Sequence, residues 1–402
     1  MTNNTADASH QNPTRHDPRV RDLPASVWAL TLARAVNRLG AFTLPFLGVV
    51  LTTELGLPLT TTGWLLALFG LATIPSRLAG GALADRLGRP RTIVLGLVGT
   101  ASSQLWLAAS HSVLAAVVGV LALGLCFEVY EPPSQAVIAD VTDEQTRPLA
   151  YGLLASGLAG AGVAAGLLAA WLGGVGLRWL LVADAATCLA CAATVAAVVR
   201  SNVPRMARPN PLRGREVWTD RRLLLMLGSG TVFALLYLQI SVALPLTLVA
   251  RDLPAAHAGL LFTVSALTIV TGQPLLRRLP RVGRSRFRSM ALGYAVLALG
   301  LAGTAVSTDL SGFVVSTVVW SVGDLILLGH TWSIVSDLAP AGATARYLAV
   351  FGLSWGLAAV VAPLLGTQLL AAGGPVLLWS VSAILAGALA AAQPALARRC
   401  TP

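Results

Sequence analysis

Twelve apolar runs, each close to or above the length that crosses a lipid bilayer, constrain this chain more than any other feature. They lie near residues 26–51, 62–83, 92–110, 112–137, 149–173 and 177–199, and then near 223–250, 255–276, 289–308, 311–335, 347–372 and 375–397. At 1.5 Å of rise per residue, roughly 20 apolar residues span the hydrocarbon core as a helix. Charged residues make up 11% of the 402-residue chain and hydrophobic ones 55%, where a soluble domain carries about 25% charged. The expectation is an all-α integral membrane protein of twelve transmembrane helices in two sets of six. Runs containing Gly and Pro, such as 223–250, are expected to bend.

Orientation follows from arginine. All 28 basic residues are Arg and the net charge is +11. In a soluble protein such a charge would suggest nucleic acid. Here it sits mostly in short loops between apolar runs, so the partner expected is the anionic headgroup layer of the bilayer, and no nucleic acid. With the N-terminus in the cytoplasm, 23 arginines fall on the cytoplasmic side, and only Arg178 and Arg251 face out. The excess of positive charge inside therefore places both termini in the cytoplasm.

Residues 1–24 are polar, with no apolar core, and read as a disordered cytoplasmic tail and not as a signal peptide. A bundle over 25–199 is followed by a polar cytoplasmic linker, "RSNVPRMARPNPLRGREVWTDRR" at 200–222, a second bundle over 223–397 and a tail at 398–402. The halves repeat one another. "GGALADRLGR" (80–89) aligns with "GQPLLRRLPR" (272–281), and "IADVTDEQTRPLAYG" (138–152) parallels "VSDLAPAGATARYLAVFG" (335–352). Duplicated halves with a site at their interface are the plan of many secondary transporters.

Between the second and third runs stands G-x-L-A-D-R-x-G-R-x-R, formed by Gly81, Leu83, Ala84, Asp85, Arg86, Gly88, Arg89 and Arg91. Glycines permit a tight turn and close helix approach, and Asp85 suits a helix start or a partly dry contact with arginine. The motif resembles the helix 2–3 loop of the major facilitator superfamily, and the resemblance extends over about residues 25–397. Further family-like stretches are "YLQISVALPL" (237–246), "GQPLL" (272–276), "WSVGD" (320–324) and "SDLAP" (336–340). Their arrangement is most similar to the bacterial drug and metabolite exporters of the proton-antiporter branch. That branch carries a glycine–proline signature in helix 5. Here "GAGVAAGLLAAWLGG" (160–174) keeps Gly162 and Gly166 but has Leu167 where proline is expected.

The resemblance implies the major facilitator fold in the bacterial cytoplasmic membrane, working as a monomer by alternating access. It implies that Gly81, Asp85, Arg86, Gly88 and Arg89, with Asp140 at the end of helix 4, form a latch holding the outward-open state. It also implies a small-molecule substrate, with protons as the coupling ion.

Charge inside the membrane is costly and normally faces a cavity or a partner. Arg34 and Arg38 are four apart, hence on one face of helix 1, at depths of about 12 and 18 Å from a cytoplasmic start near Ser26. Glu128 and Glu131 in helix 4 lie about 13 and 9 Å from its cytoplasmic end by the same arithmetic. A buried pair is expected between Arg34 or Arg38 and Glu128. It is read as a proton-coupling or substrate site, or as a structural pair, with a glutamate facing the vestibule as a third reading. Pro132 and Pro133 are expected to bend the helix there.

Asp324, near the middle of helix 10, reads as a protonation site or a satisfied polar contact, and His330 lies almost two turns further in. Tyr237, Gln239 and Trp320 are candidates to line an amphipathic cavity, against plain packing. Arg77 is expected to snorkel, and Asp184 has no assigned role. No metal site or cofactor is expected: "CLAC" (188–191) has metal spacing but no polar completion. A chain without Lys has no Walker loop, and no nucleophilic triad or zinc-helix pattern is present, so the chain is not read as an enzyme. The expected function is proton-coupled export of amphipathic small molecules. The alternatives are a proton-coupled importer of a polar metabolite, and a receptor or scaffold that kept the fold without transport.

Overall fold

The structure is a computed structural model that describes residues 23–142, 146–198, 218–278, 286–327, 330–340 and 344–400. Most of the expected N-terminal tail, residues 401–402 and most of the expected linker fall outside this set, as do the side chains of Asp140 and Arg147, while residues 398–400 of the expected C-terminal tail continue the last helix. The membrane spans are α1 (Ala25–Glu54), α2 (Leu59–Leu87), α3 (Arg89–Ala109), α4 (Val113–Ile138), α5 (Arg147–Val175) and α6 (Leu177–Val198). They continue with α7 (Arg221–Ala250), α8 (His257–Arg278), α9 (Arg286–Val306) and α10 (Leu310–Leu327), the last followed by a short helix over His330–Leu338.

The final helical run, Thr344–Cys400, breaks at Gly373 and Gly374. Gly374 sits at φ +68°, a left-handed backbone that a side chain would strain. The 51-residue apolar stretch Val350–Cys400 would be about 75 Å long as one helix, more than twice a bilayer core. It therefore crosses twice, as α11 (344–372) and α12 (375–400). Twelve crossings result, as the apolar runs require.

Gly88 explains the glycine of the loop motif. It closes α2 and opens α3 at φ +85°, ψ 155°, and its carbonyl accepts the first backbone bond of α3, from Thr92. Pro90 in the first turn of α3 lacks only a donor that would have no partner there anyway.

Helices α1–α6 pack mainly with one another, and so do α7–α12. The two sets meet along α2 with α11, α5 with α8 and α1 with α7. These contacts concentrate at the end of the molecule carrying the α1–α2 and α7–α8 turns. There Phe46 and Val49 share one core with Leu246, Leu248 and Ala258. Toward the opposite, arginine-rich end, a second core of Val27, Leu30, Ile93, Ile138 and Val195 belongs to the first set alone.

Glycines trace the same division. A Cβ placed on Gly63 would lie 1.9 Å from Thr367 Oγ1, and one on Gly166 would lie 2.4 Å from the Gly259 carbonyl oxygen. At the arginine-rich end, a Cβ on Gly81, Gly152 or Gly352 would meet nothing within 4 Å. The two sets are thus in contact at one end and parted toward the other.

Candidate functional site

Helix α1 is not continuous. Its first helical segment, Ala25–Leu39, ends at Gly40, and helix resumes at Thr43. The break leaves the Thr43 N–H without a helical acceptor. The carboxylate of Asp184, on α6, takes its place: Oδ2 accepts from the Thr43 backbone N–H at 3.2 Å and from Thr43 Oγ1 at 2.5 Å. Gln104 Nε2 on α3 donates to the same hydroxyl at 2.8 Å. Asp184, without an assigned role in the sequence, is the cap of the second half of α1. The gap admits only glycine at position 40, because a Cβ there would fall 2.1 Å from Thr187 Oγ1 and 2.9 Å from Asp184 Cα.

Between one and two turns before the break lies the buried cation. Arg34 Nη2 is 2.6 Å from Glu131 Oε2, and its guanidinium carbon sits 5.0 Å from the centre of the Tyr130 ring. Glu131 also accepts from Gln135 at 3.1 Å, and the Tyr130 hydroxyl reaches Asn37 Oδ1 at 3.4 Å. The opposite charges at matching depth do meet, but Glu131 is the partner and not Glu128. Helix α4 stops at Phe127 and restarts at Glu131, ahead of Pro132 and Pro133. The interruption rotates Glu128 away from the phase that a continuous helix would give it. Glu128 instead donates its backbone N–H to Ser76 Oγ at 3.0 Å, while its Oε2 is buried without a partner among the described residues. Arg77, Glu131 and Arg34 are the charges around it.

Between the two sets of helices is a cavity of ≈640 Å³, within the range of small-molecule sites. Arg34, Arg38, Tyr130, Glu131 and Asp184 line it from the first set, and Tyr237, Trp320 and Asp324 from the second. Asp324 is 7% exposed, with no hydrogen bond or ion pair among the described residues. Arg38 is exposed to the cavity and likewise has none there. Tyr237 stacks edge-on against Trp355, ring centres 5.3 Å apart.

Three candidates stand elsewhere. Gln239 does not reach the cavity: it is buried against Gly366 of α11, with both amide atoms lacking partners among the described residues. Glu128 is not among the lining residues. His330 opens the short helix after α10, its Nδ1 buried without a partner among the described residues.

In the α2–α3 loop, Arg89 Nη1 donates to the Ala136 carbonyl of α4 at 2.8 Å. Asp85 and Arg86 are exposed on the surface beyond it. The two lone arginines of the opposite end hold helix ends together. Arg178 binds the Ala108 carbonyl at 3.0 Å and pairs with Glu54 at 3.3 Å, while Arg251 donates to the Ala305 carbonyl at 3.0 Å.

A cavity between two six-helix sets, with a Gly-framed charged loop on one face, narrows the family. The sequence profile of the Major Facilitator Superfamily matches residues 30–363. The chain belongs to the major facilitator superfamily.

As a superfamily member it is a multi-pass membrane protein and a secondary transporter of a small-molecule substrate, not an enzyme. It is 26% identical over 359 residues to the uncharacterized MFS-type transporter YhjO of Bacillus subtilis (strain 168), covering 86% of each chain. It is 24% identical over 330 residues to the multidrug resistance protein MdtH of Aeromonas salmonicida (strain A449), covering 80% of this chain and 81% of that one. In fold it is similar to the POT family transporter PepTSo, with a TM-score of 0.78 at 14% identity, over 95% of this chain and 99% of that one.

The superfamily frame clarifies the helix 5 departure. Leu167, at the expected proline, is 53% exposed on the outer face of α5. Contact with α8 is made by its neighbour Gly166, and Gly173, whose added Cβ would lie 3.0 Å from Ala256 Cβ, meets the turn just before that helix. Asp184 had no role assigned from the sequence, and Glu131, a candidate there, takes the Arg34 pairing that was expected of Glu128. The Pro132–Pro133 pair was the available signal for the second.

Proposed function

We propose that this superfamily transporter is a proton-coupled exporter of amphipathic small molecules, operating as a monomer in a bacterial cytoplasmic membrane. The observation that carries the reading is the carboxylate of Asp324, without a hydrogen bond or ion pair among the described residues, in a cavity wall shared with Tyr237, Phe262 and Trp320 and with the hydroxyls of Ser241 and Ser265. A carboxylate without a protein partner in a cavity that opens to each side in turn is placed to take up a proton from one side and release it to the other. The similarity to multidrug resistance proteins supports export. The Arg34–Glu131 pair, with Arg38, is the second charged centre of the same cavity. Glu128, not among the cavity-lining residues, is set aside as coupling carboxylate in favour of Asp324.

Arginine bias supports a cytoplasmic location for the linker and both ends. On that orientation the parted end opens to the cytoplasm, and the structure is inward-open. The exposed Asp85 then fits a latch that engages the other set of helices only when the cytoplasmic end closes.

The test is flux in proteoliposomes with an imposed pH gradient, using fluorescent amphipaths of cationic, neutral and zwitterionic charge. Accumulation against the substrate gradient on the acidic side is expected. Asp324→Asn should abolish this uphill movement while downhill exchange remains measurable. No gradient-driven flux of any probe would refute coupling, and accumulation in the opposite sense would assign import.

A further inference from the structure

Five Arg, Asp and Glu side chains line the cavity: Arg34, Arg38, Glu131, Asp184 and Asp324. Three of them are spoken for within the protein. Arg34 and Glu131 neutralise each other, and Asp184 is committed to capping α1. One cation and one anion remain, Arg38 on α1 and Asp324 on α10. They stand in opposite sets of helices, and neither has a hydrogen bond or ion pair among the described residues. Tyr237 lines the same cavity.

We propose that the cavity selects a zwitterion, an amphipathic molecule whose cationic amine meets Asp324 and whose anionic group meets Arg38. This rests on the reading of the cavity as the transport site and adds the charge of what enters it. Closing the open end must expel water from the cavity, and an ion left unpaired there is costly. With Asp324 ionised, a singly charged substrate compensates one of the two groups and strands the other. A zwitterion compensates both at once. It also bridges the two sets of helices, so its binding energy favours the closed arrangement. Trp320, Tyr237, Phe42 and Phe262 provide the apolar wall for its body.

The experiment compares three probes sharing one fluorophore, by equilibrium dialysis against the protein in nanodiscs with empty nanodiscs as control. Nε-dansyl-lysine carries amine and carboxylate, dansylcadaverine the amine alone, and 6-(dansylamino)hexanoate the carboxylate alone. Dansyl-lysine is expected to bind at least tenfold more tightly than either other probe. Arg38→Gln should lower its affinity to that of dansylcadaverine, Asp324→Asn to that of the hexanoate, and Arg38→Lys should retain the preference.

Equal binding of the three by the wild-type chain overturns the proposal, as does no binding of any. A preference that survives both neutralising substitutions also overturns it, since the selective site would then lie elsewhere. The wild-type comparison needs no variant to fold. Selective binding of dansyl-lysine without gradient-driven flux would refute the exporter reading and leave this inference standing. Flux of other probes with no zwitterion preference would do the reverse.

Discussion

Replacing Glu131 by alanine should be among the most destabilising single changes available in the first six helices. Arg34 is 9% exposed, and its Nε and Nη1 already lack partners among the described residues, which leaves Glu131 as its ionic acceptor at 2.6 Å. Removing one member of a buried pair strands the other charge, at about 3–5 kcal/mol. The contact of Arg34 with the Tyr130 ring is common to both proteins and cancels, so a net loss of about 3–5 kcal/mol is expected. Glu131→Gln keeps an oxygen acceptor but leaves the guanidinium without a counter-charge, so its loss should fall between wild type and the alanine variant. The double change Arg34→Met, Glu131→Met removes both charges with similar volume and should fall within about 1 kcal/mol of wild type. Unfolding by SDS titration in mixed micelles, followed by tryptophan fluorescence, reads these differences. A double variant as unstable as Glu131→Ala, or an alanine variant at wild-type stability, would refute the reasoning.

Asp85→Asn should insert and fold normally yet lose transport, because the closed cytoplasmic end loses a charge-assisted contact of about 1.5–3 kcal/mol; cysteines placed in the cavity should become more reactive to cytoplasmic reagents by about tenfold, and unchanged flux and labelling would count against the latch. Cysteines placed in the 200–222 linker and at both ends should react with impermeant maleimide only from the cytoplasmic side, and labelling from outside would overturn the orientation. Gly40→Val should prevent the close packing of α1 on Thr187 and Asp184 and cost about 1–3 kcal/mol or more, seen as a lowered SDS midpoint; wild-type stability would mean that the break in α1 is not held by that contact.

The twelve spans were legible because bilayer thickness imposes a length that no other environment demands, and a run such as 375–397 has no alternative use. The loop motif was legible for a similar reason, since only glycine suits φ +85° at position 88. Tertiary capping was not legible. The interruption of α1 at Gly40–Phe42 is supported by a carboxylate 141 residues away, and nothing local to α1 announces it. Depth arithmetic brought helices 1 and 4 together at the right level but assumed that α4 keeps one helical phase. The stop at Phe127 resets that phase, and Glu131 takes the place expected of Glu128. Gln239 failed for a related reason: neighbouring Tyr237 and Ser241 line the cavity, but a helix turns about 100° per residue, and position 239 points instead to Gly366.

The α5–α8 contact has a mechanical consequence. Where Gly166 meets Gly259, backbone rests on backbone, with no side chains from those two positions interleaved between the helices. Surfaces keyed together by interlocking side chains must change rotamers before they slide, which gives them friction. The side chain that crosses beside these glycines is the short Thr263, whose Oγ1 donates to the Val163 carbonyl at 3.1 Å, so the two halves of the molecule can roll there with little to re-form. Resistance to the rocking motion would then come from the ends, where charges engage and water enters or leaves, and the rate of turnover would be tuned there and not at the axle.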